Sequence, residues 1–361
     1  MRARTKSNAT SSRSASSAFR GSKIMRFAFT DDQKMLRDTV RDVLRRECSP
    51  EVVRDAWEGK TEGARSAWNT LAQTGLIGMT ASEGAGGMSM SELDLLLPLE
   101  ETGYAAMPGP IVDTAAVGIP LLEAAGTDAQ RERWLGLAAA GEARIVVSFE
   151  DREMVPHAAS ADILIAERGG AGYCLPIDEV SVVPERSVDR TREVGKVAFE
   201  PSPSYRMRED VNTVALFALG RERAALATAA QLVGLSRRML DMAVQYAKDR
   251  EQFGKPIGAQ QAIKHRLANA LIEQEFARPT VYRAGWSLAT GARDAEVDVS
   301  LAKIYAGQAA KFVAKQALQV HGAIGYTIEC DLHMWMKRAW ALAAAHGDAA
   351  HHRERVGRHV L

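Results

Sequence analysis

The sequence predicts a mainly α-helical protein with a small central β domain and a C-terminal four-helix bundle. Apolar residues recur at helical spacing in the first and last thirds of the chain, whereas short β-branched runs fill the middle. The 361 residues also exceed what one hydrophobic core usually organises. We therefore expect an N-terminal helical domain over residues 25–141, a β domain over 142–209 and a helical bundle over 210–361.

The first 24 residues differ from the rest of the chain. Residues 1–24 are rich in Ser and Arg and hold almost no bulky apolar residue, so we expect a disordered N-terminal extension. The segment lacks the apolar core of a secretory signal. Met25 lies directly before the first periodic segment, which favours translation starting there; a transit peptide is the alternative.

The N-terminal domain is predicted to contain three to five helices. Thr30 precedes two aspartates as a helix N-cap does, and an apolar stripe follows on one helix face. Glycine-rich interruptions at residues 82–87 and 107–110 break the pattern where backbone freedom is needed. We expect the second interruption to form a sharp corner between two helices.

The period of the apolar residues changes along the rest of the chain. β-branched runs at residues 145–149, 163–166 and 180–183, bounded by Gly, Pro and charged residues, predict strands. Apolar stripes over residues 226–247 and 299–320 predict long helices, and such helices pack as an antiparallel bundle. The order helical, β, helical narrows the architecture but does not name a function.

The composition argues against several classes of partner. The 46 Lys and Arg residues balance 45 Asp and Glu residues, so a net charge of +1 provides no field for nucleic acid or an anionic membrane. No apolar run approaches the roughly 20 residues that a membrane-spanning helix needs. Three cysteines, an odd number without metal-type spacing, favour a reducing compartment and a cytoplasmic location; they are Cys48, Cys174 and Cys330.

Two stretches at predicted helix ends are the most informative for function. Residues 249–261, DREQFGKPIGAQQ, place an arginine, an aromatic residue and a glycine after the first bundle helix, as in an anion-binding corner; an ordinary interhelical loop is the alternative. Residues 319–325, QVHGAIG, close the third long helix with two glycines. Glycine there allows either a close approach of the backbone to a ligand or a simple helix C-cap.

In this order and at this separation, the two stretches resemble the C-terminal signature of the acyl-CoA dehydrogenase family, and the resemblance covers residues 25–361. In that family, R-x-x-F-G and Q-x-x-G-G contact the pyrophosphate and adenosine part of FAD in a neighbouring subunit. The resemblance implies FAD as cofactor and a barrel-like β domain. By position the implied FAD contacts are Arg250, Phe253, Gln261, Gln319 and Gly322, with Ala323 in place of the second glycine.

The family removes the α proton of an acyl thioester with a carboxylate base, which this sequence lacks. The glutamate of the family's Tyr-Glu-Gly sequence aligns with His346. Histidine can act as a base near its pKa of about 6.5, but the alanine-rich tail around His346 favours a solvated face. The other position that family members use is Ala224 here; Gln231 on the same side takes no proton, and Glu222 is expected to point elsewhere.

The flavin contacts that a family member makes within its own chain are also missing. The family's Thr-Glu-Pro-x-x-Gly-Ser-Asp and Trp-x-Thr-Asn-Gly segments have no counterpart, so the β domain is shortened. Asp348 and Ala350 replace a threonine and a glutamine that hold the flavin. This one-sided pattern is similar to the non-catalytic subunits of heterotetrameric, actinobacterial steroid-type acyl-CoA dehydrogenases, in which one FAD lies at each interface between unlike subunits.

The resemblance implies α,β-dehydrogenation of an acyl-CoA thioester, such as a bulky steroid side-chain thioester, by a complex with a catalytic partner subunit. It also implies an acceptor like electron-transfer flavoprotein. Two alternatives stay open at this point. One is a self-sufficient homotetrameric flavin oxidoreductase with His346 or Glu222 as base, and the other is a non-catalytic scaffold of the same fold.

Overall fold

The computed structural model of the chain describes residues 28–150 and 154–361. The expected N-terminal extension, residues 1–24, lies outside this part. Within the described ranges, no helix combines the length and the apolar character needed to cross a membrane.

Six α-helices and a π-helical segment form the N-terminal part of the described chain, so the expected three to five helices were too few. The excess comes from short elements: α2 has eight residues, and the π-helical segment departs from the 3.6-residue period just before α5. The elements are α1 (Asp31–Glu47), α2 (Pro50–Trp57), α3 (Glu62–Gln73), α4 (Glu92–Tyr104), the π-helical segment (Val112–Gly118), α5 (Ile119–Ala125) and α6 (Asp128–Ala139).

Helix α1 begins with the predicted N-cap. The Thr30 hydroxyl accepts a hydrogen bond from the backbone N–H of Gln33 at 3.2 Å, and the Gln33 side chain accepts one from the backbone N–H of Thr30 at 2.8 Å. This reciprocal capping box satisfies two N–H groups that the helix itself cannot. The N-cap prediction from the sequence is confirmed.

Two three-stranded sheets make up the β domain. In the first, β3 lies between β1, which is parallel to it, and β4, which is antiparallel; in the second, β6 lies between β2 and β5, both antiparallel. The three runs predicted from the sequence are strands β1, β3 and β5. The six strands are β1 (Ile145–Ser148), β2 (Met154–Val155), β3 (Ile163–Arg168), β4 (Ala171–Pro176), β5 (Ser181–Pro184) and β6 (Gly195–Ala198).

The sequence did not predict β4 and β6 because each contains a glycine, which weakens the strand pattern. Both glycines are closely packed against side chains from elsewhere in the chain. A Cβ atom at Gly172 would lie 3.0 Å from the Met207 sulfur, and one at Gly195 would lie 2.6 Å from a methyl group of Val182.

The C-terminal part contains the predicted bundle. The long helices α7, α8 and α9 pack against one another, α10 packs on α7 and α9, and α11 packs on α9 as a fifth helix. A two-stranded hairpin, β7 and β8, joins α7 to α8. The elements are α7 (Thr213–Asp249), β7 (Glu251–Gln252), β8 (Lys255–Pro256), α8 (Gln261–Ala289), α9 (Ala295–His321), α10 (Leu332–Ala344) and α11 (Ala349–Val360).

Helices α4 and α7 touch through their backbones. A Cβ atom at Gly103 would lie 2.1 Å from the Gln231 carbonyl oxygen, and one at Gly234 would lie 1.9 Å from the Glu100 carbonyl oxygen. Real Cβ atoms do not approach other atoms this closely, so only glycine fits at either position. The contact fastens the N-terminal domain to the bundle.

A buried arginine joins all three parts of the chain. The guanidinium of Arg338, on α10, donates to the Met107 carbonyl at 3.1 Å and also bonds Asp189 and Thr191 of the β domain. Arg338, Asp189 and Thr191 are all buried. Because a buried charge must be paired, this cluster fixes the β domain against the helices around it.

We predict that Gly234→Ala lowers the free energy of unfolding by about 2 kcal/mol or more, because the added methyl group forces α4 and α7 apart. Gly136 on α6 is a matched control, since a Cβ atom there meets nothing within 4 Å. Gly136→Ala should raise the free energy of unfolding by roughly 0.5–1 kcal/mol through better helix propensity. Urea denaturation followed by circular dichroism measures both, and equal midpoints for the two variants would contradict the backbone contact.

Candidate functional site

The hairpin after α7 shapes the first predicted motif. The Arg250 N–H closes α7 by donating to the Tyr246 carbonyl at 2.9 Å, and β7 and β8 then pair across a two-residue turn. Both turn residues, Phe253 (φ 55°) and Gly254 (φ 75°), have positive φ, as a type I′ hairpin turn requires. Phe253 is 92% exposed at the tip of this turn. The turn therefore presents the Phe253 ring to solvent, where another molecule can reach it.

The second predicted motif lies at the C-terminus of α9. Gly322 ends the helix with φ 65° and ψ −140°, a backbone conformation that residues with a side chain rarely adopt. Just before it, the His321 ring stacks on Tyr246 of α7, with ring centroids 4.5 Å apart. This stacking brings the second motif beside the end of α7, where the first motif begins.

The third predicted FAD contact, Gln261, is the first residue of α8. In an antiparallel bundle the start of α8 lies at the same end as the C-termini of α7 and α9. A hydrogen bond of 2.9 Å between Arg266 and Gln316 ties this end of α8 to α9. The structure thus gathers the predicted FAD contacts at one end of the bundle, here called the bundle corner: Arg250, Phe253, Gln261, Gln319, Gly322 and Ala323, all exposed except the half-buried Gly322.

His346 follows the second motif in the chain, after α10, and lies outside the bundle corner. It is half-buried after the C-terminus of α10, with φ 53°, and its ring meets that of Phe149 edge-on at 6.3 Å between centroids. It lines a cavity of about 40 Å³, here called the His346 cavity, together with Thr228, Gln231 and Asp113. The prediction of a solvated face was wrong because the turn after α10 directs the ring inward.

Two buried side chains hold this turn in place. Lys303 of α9 donates to the carbonyls of Ala343 at 3.1 Å and Gly347 at 2.9 Å, and an imidazole nitrogen of His352 lies 3.1 Å from the His346 carbonyl oxygen. Gly347 must be glycine, because a Cβ atom there would lie 2.6 Å from the His352 ring. The position of His346 is therefore fixed by residues of α9 and α11.

Sequence reasoning missed Lys303 and Asp113. Lys303 interrupts the apolar stripe of α9, and Asp113 interrupts an apolar run at the π-helical segment; both are buried. A charged residue inside an apolar stripe was the available signal, since such residues are rarely buried without a partner. Asp113 lines the cavity and carries a carboxylate, the same chemical group as the missing base. One of its oxygens accepts a hydrogen bond from the Val147 N–H at 3.4 Å.

The remaining base candidates do not reach the His346 cavity. Glu222 is buried on the far side of α7 and pairs with Arg355 of α11 at 2.6 Å, as expected from its helical position. Burial raises the pKa of the Glu222 carboxyl above its usual value, although Arg355 opposes this shift. Ala224 is buried and offers no titratable group.

The His346 cavity is too small for a flavin ring or an acyl chain. Ligand pockets usually measure roughly 300–1,000 Å³, and a single water takes about 30 Å³ of liquid volume. The Gln231 amide also donates to the Thr102 hydroxyl at 3.1 Å, so α7 is tied to α4 next to the cavity. At this point the described part of the chain therefore has room for water-sized molecules only.

We predict that acid destabilises the protein partly through His352. Burial lowers the pKa of His352 to about 4, whereas an unfolded histidine titrates near 6.5. The unfolded state therefore binds more protons between these values, and stability present above pH 6.5 is lost as the pH falls towards 4. The thermal midpoint of His352→Gln should fall less over this window than that of the unchanged protein. His265→Gln, at an exposed histidine, is the control and should behave like the unchanged protein. If the thermal midpoints of all three proteins depend equally on pH, the loss of stability in acid does not come from His352.

Comparison with known proteins places the chain in a family. The model "Acyl-CoA dehydrogenase, N-terminal domain" matches residues 30–142, and "Acyl-CoA dehydrogenase, C-terminal domain" matches residues 213–361. Acyl-CoA dehydrogenase IpdE2 of Mycolicibacterium smegmatis is 32% identical over 311 residues, which cover 86% of this chain and 93% of that protein. Acyl-CoA dehydrogenase FadE34 of Mycobacterium tuberculosis is 31% identical over 351 residues, covering 91% of this chain and 48% of that protein.

Solved structures share the fold. The ChsE4-ChsE5 complex from Mycobacterium tuberculosis superposes with a TM-score of 0.81 at 24% identity, over 93% of this chain and 99% of the matched one. A variant of the Tcur3481-Tcur3483 steroid ACAD superposes with a TM-score of 0.79 at 23% identity, over 91% and 97% of the two chains. The predicted fold is confirmed, and so is FAD as the cofactor of the family. The chain belongs to the acyl-CoA dehydrogenase family.

Proposed function

We propose that this chain is the non-catalytic subunit of a heterotetrameric acyl-CoA dehydrogenase and gives one half of a shared FAD site to a catalytic partner. The observation that carries the proposal is the contrast between two places in the fold. The bundle corner is assembled and faces solvent, whereas the His346 cavity of about 40 Å³ has no room for flavin or substrate.

The bundle corner fits the pyrophosphate and adenosine half of FAD. The exposed guanidinium of Arg250 is a planar fork that can hold two phosphate oxygens at once. Phe253 offers an aromatic face, Gln319 offers an amide, and Gly322 lets a backbone approach closely. Because these groups point away from their own chain, the flavin that they serve belongs to a neighbouring subunit.

The side of the chain that would serve its own flavin does not fit the cofactor. Asp348, at the position of a flavin-holding threonine in the family, is used as the N-cap of α11 and accepts the backbone N–H groups of Ala350 and His351. The shortened β domain contains only four- to six-residue strands apart from the two-residue β2. When bound, FAD would accept the hydride that leaves the β carbon of an acyl thioester.

An apolar surface of α8 supports assembly with a partner. Leu271 and Ile272 are about half exposed, and Phe276 is 73% exposed, beside the exposed Glu273 and Glu275 of the same helix. An exposed patch of this kind marks a protein–protein interface more often than free surface. The patch lies on the helix that begins at the bundle corner, so a partner seated on α8 would also meet Arg250 and Phe253.

The relatives support the finer parts of the proposal. The match covers 48% of FadE34, so about half of that protein lies outside it. ChsE4-ChsE5 is a complex of two different subunits. We infer from the steroid ACAD likeness that the substrate is the CoA thioester of a bulky acyl group. The proposal includes a cytoplasmic tetramer and an electron-transfer flavoprotein-like acceptor.

We predict that Arg250→Ala weakens FAD binding by the complex about tenfold or more, because a charge-assisted hydrogen bond to phosphate is lost. The chain would be tagged, purified with its partner from the same cells, and the FAD released on denaturation would be counted per complex. Arg46→Ala, at the exposed end of α1, is the matched control. If the Arg250→Ala complex keeps its full content of FAD, the chain does not contribute to the flavin site and is a scaffold only.

We predict that His346→Ala changes the turnover of the complex by less than about threefold, whereas loss of a catalytic base costs roughly 100-fold or more. The partner supplies the base in the proposed arrangement. Reduction of an artificial electron acceptor by acyl-CoA measures the rate. A chain that is active when purified alone, and inactive after His346→Ala, would instead establish the self-sufficient enzyme.

A further inference from the structure

A second cleft, with a volume of about 400 Å³, opens where α1 and α2 meet α4, α7 and α10. This volume lies in the range of roughly 300–1,000 Å³ that small-molecule sites occupy. The cleft, here called the arginine cleft, shares no lining residue with the His346 cavity or the bundle corner. It is a separate site that the proposed function does not use.

Arginines dominate the polar wall of the arginine cleft. The Glu101 carboxylate accepts hydrogen bonds of 2.8 Å from both Arg41 and Arg237, so one negative group faces two positive ones. Arg45 lies 3.9 Å from the exposed Asp42, and an exposed pair at that distance contributes little. The wall therefore keeps an excess of positive charge.

Arg238 is held in the cleft by aromatic rings. Its guanidinium lies 5.4 Å from the ring centroids of both Tyr104 and Trp335, and residues 28–150 and 154–361 place no carboxylate at ion-pair distance from it. The second carboxylate of the cleft, Asp241, accepts the Tyr104 hydroxyl at 2.9 Å. Aromatic faces cover the plane of a guanidinium and leave its N–H edges for a planar anion.

The rings that hold Arg238 are themselves fixed. The indole N–H of Trp335 donates to the Tyr104 carbonyl at 2.9 Å, and Arg237 lies 4.5 Å from the centroid of the Tyr104 ring on α4. A ligand that reaches Arg238 therefore meets a donor whose position is already set. Pre-organisation of this kind reduces the entropy lost on binding.

The lining of the arginine cleft also has an apolar part. It is formed by Leu44, Cys48, Pro50 and Ala105. Burial raises the pKa of the Cys48 thiol to about 12, so this sulfur is neutral at physiological pH and does not repel an anion. A ligand that fits both the arginines and the apolar part of the lining has a negative head and an apolar body.

We propose that the arginine cleft binds a small organic carboxylate, with its head on Arg238 and Arg45 and its apolar body against Leu44, Cys48 and Pro50. An organic carboxylate can use both the guanidinium and the apolar lining, whereas inorganic phosphate can use the guanidinium alone. The ligand contacts α1 of the N-terminal domain and α7 of the bundle together. Its binding therefore stabilises the junction of the two helical parts.

The test uses 4-phenylbutyrate as probe, with its neutral amide and inorganic phosphate as comparison ligands, and isothermal titration calorimetry on the full chain and on the purified complex. We expect a dissociation constant of about 1 mM or tighter for the carboxylate. Arg238→Gln should weaken binding about tenfold or more. Arg46→Gln, beside Arg45 but outside the cleft, should bind like the unchanged protein.

Four results overturn the proposal. They are absence of carboxylate binding at millimolar concentration, equal binding of the amide or of phosphate, unchanged affinity in a folded Arg238→Gln variant, and binding by the chain alone that disappears in the complex. The last result would make the cleft part of the subunit interface. None of these results bears on FAD retention, so the cleft and the shared flavin site are tested independently.

Discussion

The backbone contact between α4 and α7 is the constraint on which the rest of the structure depends. Glycines at positions 103 and 234 let the two helices touch, and no larger residue fits at either position. On one side of this contact, Gln231 bonds Thr102 next to the His346 cavity. On the other side, Tyr104 meets Arg237 and forms part of the arginine cleft. The close approach of α4 and α7 therefore narrows the His346 cavity and shapes the arginine cleft.

Charge reinforces the contact. Two adjacent glutamates of α4 are buried, and each must be paired because an isolated carboxylate is costly to remove from water. Glu101 is paired with Arg41 of α1 and Arg237 of α7, and Glu100 lies 3.5 Å from Arg278 of α8. Helices from both ends of the chain thus converge on α4. The Arg338 cluster does the same for the β domain, so the three parts are joined by buried charges as well as by apolar packing.

The structure separates an exposed half-site from an interior site of small volume. Groups able to hold a nucleotide cofactor are presented outward at the bundle corner, where they lie beside the exposed apolar patch of α8. Inside, the place at which the family keeps its base is a turn fixed by Lys303 and His352, with room only for water-sized molecules. In the proposed complex, this division assigns cofactor positioning to this chain and proton removal to the partner.

Local signals in the sequence determined the order of helices and strands, the Thr30 cap and the helix ends at Arg250 and Gly322. Each depends on neighbours within a few residues, which is why periodicity and turn residues were sufficient. Glycine in β4 and β6 hid two strands, because a glycine that packs against a distant side chain looks locally like a break. Short elements around the π-helical segment were missed for a similar reason, since a changed helical period has no clear stripe.

The sites divide in the same way. The sequence by itself determined the family and proposed which residues face FAD, because those residues belong to two short motifs. Only the tertiary structure decided that the motifs meet, through the stacking of Tyr246 on His321, and that His346 turns inward. It also brought Lys303, Arg238 and Arg338 to their partners. These outcomes depend on contacts between helices that are remote in sequence. The direction of a side chain beyond the end of a helix is set by the residues of other elements that pack against it.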